Sequence, residues 1–240
     1  MKFAYDIHIH SGLSPCGDKD MTPNNIVNMA YLKELNIIAV TDHNSMLNIL
    51  PVMEVANRRG ILVVPGIEVT TKEEVHVLCY FPSIEDGMRF QDLIYDSLPN
   101  IKNREEIFGE QLLFDKEDNV IGKLDKLLLS SSEYSLEEIF MLVEKHNGVL
   151  VPAHVDKNSF SILSTLGFIP DNINVRTIEA YDLKRLKEME KVLTLEKYMI
   201  IKNSDAHYLS DINEAFYYMD IDTLTAKTVI EYLKVGCDKK

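Results

Sequence analysis

Histidines are the residues of this sequence whose spacing points most clearly to chemistry. His8 and His10 lie in DIHIH at the end of an apolar run, and His43 lies in TDHN directly after the run NIIAV. Side chains two positions apart on a β-strand point to the same face, so His8 and His10 predict two imidazoles that can bind one metal ion. A single histidine at a strand end is usually a loop residue, so His43 alone does not indicate a site.

Further candidate ligands follow later apolar runs of the chain. They are Glu68 in PGIEVT, His76 in EVHVLCY, His154 in VPAH, and Asp205 with His207 in NSDAH. Six of the seven histidines therefore lie at or near predicted strand ends, where parallel α/β folds build their sites. Imidazoles mixed with carboxylates favour zinc, manganese or iron. The three widely spaced cysteines include no C-x-x-C pair and indicate neither a thiolate zinc site nor a disulfide framework.

The predicted elements that position these residues alternate along the chain. Short β-branched runs predict eight strands: FAYDIHI, NIIAV, ILVVPGIEV, EVHVLCYF, GVLVPAH, VRTIEAY, YMIIKNS and AFYYMD. Helices are predicted from Thr22 to Leu35, from Ser45 to Arg59, from Ser135 to Gly148, and over DLKRLKEMEKVL and TLTAKTVIEYL. This alternation predicts an α/β fold with a mainly parallel sheet, either open and doubly wound or closed as a barrel.

One segment, residues 85 to about 134, breaks the alternation. It is too long and too mixed in composition for a single helix, and QLLFDKEDNVIGKLDKLLL predicts a β-hairpin around KEDN. We interpret the segment as an insertion in one βα loop, within a single domain that covers residues 1–240.

Charge and hydropathy narrow the predicted partners. The chain has 25 Lys and Arg against 38 Asp and Glu, a net charge of −13 at pH 7. Nucleic-acid-binding proteins normally concentrate basic residues, so this balance argues against nucleic acid. It is compatible with the predicted partner, a small phosphorylated substrate that a bound metal attracts locally. MKFAYDIHIH reaches Asp and His too early for a signal peptide, and no run has the length of a membrane span. A cytoplasmic protein without a membrane partner is predicted, and its oligomeric state is not.

The ordered segments DIHIH, TDHN, GIEVT with EVHVL, PAH and NSDAH resemble the polymerase-and-histidinol-phosphatase (PHP) superfamily of metal-dependent phosphoesterases. These motifs run from residue 6 to residue 207, so the resemblance covers nearly the whole chain. It implies a distorted (β/α)7 barrel of the TIM type. It also implies two or three divalent transition-metal ions, zinc, manganese or iron, at the carboxyl ends of the strands.

Nine residues match the positions of the family's metal ligands: His8, His10, Asp18, His43, Glu68, His76, His154, Asp205 and His207. The resemblance implies that His8 and His10 bind the first metal with Glu68 and Asp205, and that Glu68 bridges to a second metal bound by His76 and His154. Asp18, His43 and His207 would bind the third. The segment SPCGDKD also contains Asp20 as an alternative to Asp18.

The resemblance favours a phosphoric ester hydrolase that cleaves a small phosphomonoester or a nucleotide with metal-activated water, and it gives catalytic roles to Glu68, Asp205 and His207. The leaving group takes its proton either from a metal-bound water or from His207, and the sequence leaves both open. Two alternatives remain. One is a nuclease or a polymerase-associated proofreading role, and the other is a metal-binding regulatory domain with little catalysis.

Residues beside the ligands receive other predicted roles. Lys157 in AHVDK and Asn44 after TDH are predicted substrate contacts, and Asp6 is predicted to orient an imidazole. His146 is excluded from the site because it shares a predicted helical face with apolar residues. Cys16 lies near the site in sequence but is not assigned as a ligand.

Overall fold

The computed structural model describes residues 1–189 and 194–236 and shows a mixed α/β fold, which confirms the predicted class. The strands are β1 (Lys2–Ile9), β2 (Ile37–Val40), β3 (Leu62–Val63), β4 (Gly66–Thr70), β5 (His76–Tyr80), β6 (Leu112–Phe114), β7 (Val120–Lys123), β8 (Val149–Pro152), β9 (Thr177–Ala180), β10 (Met199–Lys202) and β11 (Tyr218–Asp220). The α-helices are α1 (Pro23–Leu32), α2 (Ile49–Asn57), α3 (Ile84–Ser97), α4 (Glu105–Phe108), α5 (Leu136–Lys145), α6 (Ile162–Thr165), α7 (Leu183–Glu188) and α8 (Ala226–Val235). Short 3₁₀ turns lie at Leu195–Lys197 and Leu209–Asp211.

The helix starts follow from capping residues. Thr22 caps α1 with Pro23 at the first helical position, and Ser135 with Glu138 forms the predicted capping box of α5. The helix predicted over residues 182–193 is described as α7, and residues 190–193 lie outside the described residues. No helix in the described ranges has both the length and the apolar character needed to cross a membrane.

Parallel pairing occurs where a helix connects two strands. One sheet has the order β11-β1-β2-β3, in which β1 pairs parallel with β2 and β2 pairs parallel with β3. The pair β9 and β10 is also parallel, and β11 pairs antiparallel with β1. Helices α1, α2 and α7 lie in the crossover connections of these parallel pairs, as parallel geometry requires.

The prediction of a mainly parallel sheet is wrong for β4, β5 and β8, which pair antiparallel in that order. Only residues 71–75 connect β4 to β5, whereas a parallel pair needs a crossover of about a dozen residues or more. The single run predicted over ILVVPGIEV is also divided, because Pro65 separates β3 from β4. The resulting β4–β5 hairpin places Thr70 opposite His76.

Bridges beyond the paired strands bring the sheets together at their carboxyl ends. His43 after β2 forms a parallel bridge to Glu68 on β4, and Ile9 at the end of β1 forms a parallel bridge to the segment after β10. The backbone N–H of Val155 after β8 donates to the carbonyl oxygen of Glu179 on β9 at 2.9 Å. The described strands nevertheless form four separate sheets, so the closed seven-stranded barrel stays a prediction.

Neighbouring residues of the same strand bury their side chains in two different cores. Ile38 and Val77 belong to an apolar cluster that includes Val52 of α2, whereas Ile37 and Leu78 belong to a second cluster. Members of this second cluster come from β1, β2, β5, β8, β10 and β11. Six strands therefore share one core. Packing on both faces fixes the strand ends from which the candidate site residues project.

The segment 85–134 contains most of α3, then α4 and the strands β6 and β7, whose antiparallel pairing confirms the predicted hairpin. The backbone N–H of Leu112 donates to the carbonyl oxygen of Gly12 at 2.8 Å, and Nδ2 of Asn48 donates to the carbonyl oxygen of Leu112 at 3.0 Å. The hairpin therefore packs against the loop that follows β1. Its interpretation as an insertion within one domain stays a prediction.

Candidate metal centre

Glu68 on β4 lies at the centre of a group of histidines. The residue is 1% exposed, and imidazole nitrogens lie 3.0–3.5 Å from its carboxylate oxygens. These nitrogens belong to His8, His10, His43, His76 and His154. The parallel bridge after β2 and the β4–β5 hairpin bring His43 and His76 to this point. Five predicted histidine ligands are thus gathered around the carboxylate of a sixth predicted ligand, Glu68.

Asp205 and His207 reach the cluster from the loop after β10. Oδ1 of Asp205 lies 3.3 Å from Nε2 of His8 and 3.2 Å from Nε2 of His10, and Nδ1 of His207 lies 3.7 Å from the same oxygen. Asp205 has a φ of 54°. A non-glycine residue in this left-handed region costs about 1–3 kcal/mol and is typical of functional sites. The strained backbone directs the Asp205 carboxylate into the cluster.

Glu179 on β9 fixes the orientation of His8 from the side away from Glu68. Nδ1 of His8 donates to Oε1 of Glu179 at 2.9 Å, and Nδ2 of Asn203 donates to the same oxygen at 2.7 Å. Oε2 accepts the backbone N–H of His154 at 2.8 Å. A carboxylate behind an imidazole fixes the ring and strengthens its free nitrogen as a ligand. Glu179 was missed among the sequence candidates, although an acidic residue inside a buried strand was the available signal.

Asp42 and Ser14 orient His10 in a similar way. The hydroxyl of Ser14 donates to Oδ1 of Asp42 at 2.7 Å and lies 2.9 Å from Nδ1 of His10. Because the hydroxyl proton is used by Asp42, Ser14 accepts from the Nδ1–H of His10, which leaves Nε2 as the ligand atom. The segment TDHN therefore contributes a positioning carboxylate as well as His43.

The prediction that Asp6 orients an imidazole is wrong. Its carboxylate accepts the backbone N–H of Ser204 at 3.1 Å and that of Asn213 at 2.9 Å. Asp6 therefore anchors both ends of the loop that carries Asp205 and His207. The role predicted for Asp6 belongs to Glu179.

The donor atoms fit a cluster of divalent cations. Nε2 of His8 and Nε2 of His10 lie 3.2 Å apart, and both face carboxylate oxygens. Nδ1 of His43 and Oε2 of Glu68 are buried and 3.0 Å apart, yet neither has a hydrogen-bond partner among the described residues. Buried polar atoms are normally paired, and this mixture of nitrogen and oxygen donors suits zinc, manganese or iron.

Donor atoms fall into three groups, and within each group all donor atoms lie within 4.8 Å of one another. The groups are His8 with His10 and Glu68, His43 with Glu68 and His76, and His10 with His43 and His207. Each group therefore has the compactness that one metal ion requires. Glu68 belongs to two of the groups, so its carboxylate would be shared by the ions that those groups would hold.

Burial and neighbouring charge compete at these ionisable groups. Burial alone would raise the pKa of Glu68, but the surrounding imidazoles, His76 foremost, hold it well below its usual range. Burial alone would lower the pKa of His8, but Glu179 and other carboxylates raise it well above its usual value. Burial and the neighbouring imidazoles together hold the pKa of His10 well below its usual range. Metal ligands must be deprotonated, and metal binding therefore releases protons. The carboxylates here are ionised, and a metal cation can take the place of the protons on the imidazoles.

The third group opens toward solvent and has a thiol beside it. Ring centroids of His10 and His207 lie 4.3 Å apart, and those of His10 and His43 lie 4.6 Å apart. Sγ of Cys16, an exposed residue, lies 3.2 Å from Nε2 of His207. Local desolvation would raise the pKa of the Cys16 thiol, but His43 and His207 outweigh it and lower the pKa to about 6.

Asp18 lies outside this group. Its Oδ1 accepts the backbone N–H of Asp20 at 2.8 Å, and its own backbone N–H donates to the carbonyl oxygen of His207 at 2.9 Å. Among the described residues, the Asp18 side chain makes no ion pair or hydrogen bond with an imidazole of the cluster. The other eight predicted ligands contact one another around Glu68 and Asp205.

Lys157 and Asn44, the predicted substrate contacts, differ in accessibility. Nζ of Lys157 forms an ion pair with Oδ2 of Asp205, and the lysine side chain is 31% exposed at the edge of the cluster. Asn44 is fully buried, its Nδ2 donates to the carbonyl oxygen of Leu128 at 2.8 Å, and its Oδ1 accepts the backbone N–H of Thr70 at 3.1 Å. Asn44 therefore ties the loop after β2 to its neighbours, and its role as a substrate contact stays a prediction.

Two cavities adjoin the cluster. The smaller has a volume of about 150 Å³ and is lined by cluster residues together with Lys157, Ser159 and Phe160. The larger, of about 750 Å³, shares Lys157, Asp205 and His207 with it and extends past Tyr181, Lys184, Lys202 and Tyr217. Nζ of Lys157 lies 4.5 Å from the ring centroid of Tyr181. Lysines beside aromatic rings suit an anionic substrate with a flat ring.

A family model of the PHP domain matches residues 6–160, which is more than half of the chain. The chain belongs to the PHP domain family. The resemblance carried by DIHIH and the later motifs is thus confirmed. The matched region of this PHP chain includes the candidate ligands from His8 to His154, while Asp205 and His207 lie beyond it.

Similar proteins include nucleases and a phosphoesterase. The chain is 32% identical over 79 residues to the 5′-3′ exoribonuclease Rnm of Escherichia coli (strain K12), an alignment that covers 31% of this chain and 26% of that protein. The structure of PfuEndoQ, a lesion-specific endonuclease from Pyrococcus furiosus, superposes with a TM-score of 0.66 and 19% identity over 98% of this chain and 56% of that one. A two-domain protein from Bacteroides vulgatus that contains a predicted PHP-like metal-dependent phosphoesterase gives a TM-score of 0.56 and 17% identity over 98% of this chain and 63% of that one. The alignment thus spans about a quarter of the curated relative, and the structures show a shared fold.

The prediction against nucleic acid is wrong. A curated relative of this PHP chain is an exoribonuclease, and a protein with the same fold is an endonuclease. The net charge of −13 misled because it sums the whole surface, whereas phosphate recognition depends on the local field. Lys157, Lys184 and Lys202 gather at one cavity of this acidic chain.

Proposed function

We propose that this PHP chain is a metal-dependent phosphoester hydrolase that acts on nucleotides. The observation that carries the proposal is the buried Glu68 carboxylate with imidazole nitrogens 3.0–3.5 Å from its oxygens. We assign two or three divalent ions, zinc, manganese or iron, to eight residues: His8, His10, His43, Glu68, His76, His154, Asp205 and His207.

Metal ions bound at such a site lower the pKa of water and neutralise charge on phosphoryl oxygens. Carboxylate oxygens of Glu68 and Asp205 lie 3.2–3.5 Å from the Nε2 atoms of His8 and His10, so these four side chains can bind the same ions. Lys157 holds a positive charge at the edge of the cluster, where its Nζ can contact a phosphoryl oxygen. His207 is part of both the cluster and the cavity wall, so its imidazole would lie beside the leaving oxygen while it binds a metal ion.

The larger cavity supports a nucleotide as the substrate. A phosphoryl group at the cluster would leave the rest of the substrate among Lys184, Lys202 and Tyr181. Tyr181 is 48% exposed, so its ring can be reached from solvent by a base. Stacking on an aromatic ring contributes about 1–3 kcal/mol per base, which a sugar phosphate without a base cannot obtain.

A phosphate-release screen with metal-reconstituted protein tests this proposal. The substrates are nucleoside monophosphates, nucleoside bisphosphates, sugar phosphates, histidinol phosphate and short oligonucleotides. We expect the highest kcat/KM for nucleotides and a lower value for sugar phosphates. Equal rates for both classes would contradict the nucleotide assignment. The absence of both phosphate release and oligonucleotide cleavage at full metal occupancy would contradict hydrolysis and favour a regulatory domain.

A 5′-end nuclease activity is a second candidate. It is favoured by the similarity to an exoribonuclease, and the larger cavity is continuous with solvent beyond Lys184, an exposed residue. A 5′-phosphorylated, internally labelled RNA would then yield mononucleotides in order from the 5′ end. An RNA that stays intact while free nucleotides are hydrolysed would exclude this second candidate and leave the first.

A further inference from the structure

We propose that Cys16 is a metal ligand, and that together with His43 and His207 it forms the solvent-facing metal position for which the family resemblance implies Asp18. The inference rests on the metal-binding part of the proposed function. It concerns which side chain of this chain completes that position and which metals the position prefers.

The position of the sulfur supports this assignment. Sγ of Cys16 lies 3.2 Å from Nε2 of His207, and the ring centroids of His43 and His207 lie 6.4 Å apart. His43 and His207 share a compact group with His10, in which all donor atoms lie within 4.8 Å of one another. A thiol beside two such imidazoles has the neighbours that a metal ligand requires.

The loop geometry explains why residue 16, and not residue 18, faces the rings. The backbone N–H of Asp18 donates to the carbonyl oxygen of His207 at 2.9 Å, so the two loops lie edge to edge. The Asp18 carboxylate is turned back along its own loop, where Oδ1 accepts the backbone N–H of Asp20. Gly17 has no room for a larger residue, because an added Cβ would lie 2.5 Å from the carbonyl oxygen of Ser11. The tight turn at Gly17 presents the Cys16 side chain to the imidazoles.

A thiolate at this position changes its metal preference. Two imidazoles and one thiolate are three protein ligands, which leave a fourth tetrahedral position open for water or substrate, as in catalytic zinc sites. Sulfur favours zinc or ferrous iron over magnesium and manganese, which prefer oxygen donors. Binding converts the thiol to a thiolate and releases its proton to solvent. The buried positions around Glu68 have only nitrogen and oxygen donors, so the metal positions of one site differ in preference.

Spectroscopy of the metal-loaded full chain tests the ligand without relying on activity. Cobalt(II) reconstitution is expected to give a near-ultraviolet thiolate-to-cobalt charge-transfer band in the wild type. Zinc-edge X-ray absorption of the zinc-loaded protein is expected to show a sulfur shell at about 2.3 Å beside the nitrogen and oxygen shells. A wild type with full metal content and no sulfur shell would overturn the proposal.

Cysteine variants identify which thiol is responsible. Cys16→Ser is expected to lose the cobalt band, while the Cys79→Ala/Cys237→Ser variant, which keeps Cys16 as the sole cysteine, retains it. Persistence of the band in Cys16→Ser would overturn the assignment. A sulfur shell without phosphoester hydrolysis would contradict the proposed function alone, whereas hydrolysis without a sulfur shell would contradict the Cys16 ligand alone.

Discussion

The metal centre has a buried half and a solvent-facing half that are built differently. In the buried half, His8 is fully buried, Glu68 is 1% exposed, and Glu179 fixes the ring of His8. In the solvent-facing half, the side chains of His207 and Lys157 are 26% and 31% exposed. His8, Glu68 and Glu179 of the buried half lie on strands β1, β4 and β9, whereas Lys157 and His207 of the other half lie in the loops after β8 and β10. Strand positions hold ligands rigidly, while loop positions can vary with the substrate.

We therefore expect the buried half to serve mainly in metal binding and the solvent-facing half to serve mainly in substrate recognition. Variants of the buried half should change metal content and affinity first. Variants of the solvent-facing half should change KM and its dependence on salt first. Four predictions follow this division, in order of decreasing effect.

Glu68→Gln should have the largest effect, because it removes the charge that the ligands of the buried half share. We expect kcat to fall about 10³-fold, since several kcal/mol of metal-derived stabilisation are lost and about 1.4 kcal/mol corresponds to a factor of ten. Steady-state kinetics and elemental analysis measure the effect. Glu54→Gln, at an exposed position of α2, is the control. Wild-type activity in Glu68→Gln would contradict the role of the buried half.

Metal removal should destabilise the folded chain. A ligand at about 100 times its Kd adds about 2.7 kcal/mol, which corresponds to roughly 5–10 °C in Tm for a chain of this size. Thermal unfolding of chelated and reconstituted protein measures the shift. The same metal should stabilise Glu68→Gln much less. An equal shift in wild type and variant would show that the metal binds elsewhere.

Glu179→Gln should weaken metal binding without removing a ligand. Loss of a carboxylate behind a metal-binding imidazole typically lowers affinity about 10–100-fold. Competition with a chromophoric chelator measures the affinity. The metal content at saturation should stay at the wild-type value, which distinguishes a positioning residue from a ligand. Unchanged affinity would mean that Glu179 does not act through His8.

Lys184→Ala should have the smallest effect, confined to the solvent-facing half. An exposed charge contributes about 1 kcal/mol or less, so KM for a nucleotide should rise up to about fivefold while kcat stays constant. The difference should shrink at high ionic strength because salt screens exposed charges. Lys227→Ala on α8 is the matched control. A fall in kcat with KM unchanged would contradict the division between the two halves.

The buried half was largely predictable from sequence. Strand periodicity predicts that His8 and His10 in DIHIH share one face, and Glu68 in PGIEVT follows another apolar run. The structure brings these three residues together. Glu179 was missed because no motif marks it, although a carboxylate in the buried run VRTIEAY has to find a partner. The antiparallel β4–β5 pair was also missed, although the short connection between the two strands excludes parallel pairing.

The solvent-facing half was less predictable because loop conformation decides which side chain faces the site. Within SPCGDKD, spacing alone cannot distinguish Cys16 from Asp18, since the turn at Gly17 and the backbone contact to His207 place them differently. Net charge misled in the same region, because it does not reveal that lysines from a loop, from α7 and from β10 meet at one cavity. Local packing in three dimensions supplies this information.

Anomalous diffraction from crystals of the metal-loaded protein would test the bridging role of Glu68. We predict at least two metal peaks, each about 2.0–2.2 Å from a different oxygen of the Glu68 carboxylate and from the surrounding imidazole nitrogens. Peaks that lie away from Glu68, or no peak at full metal content, would contradict a metal cluster organised by this carboxylate.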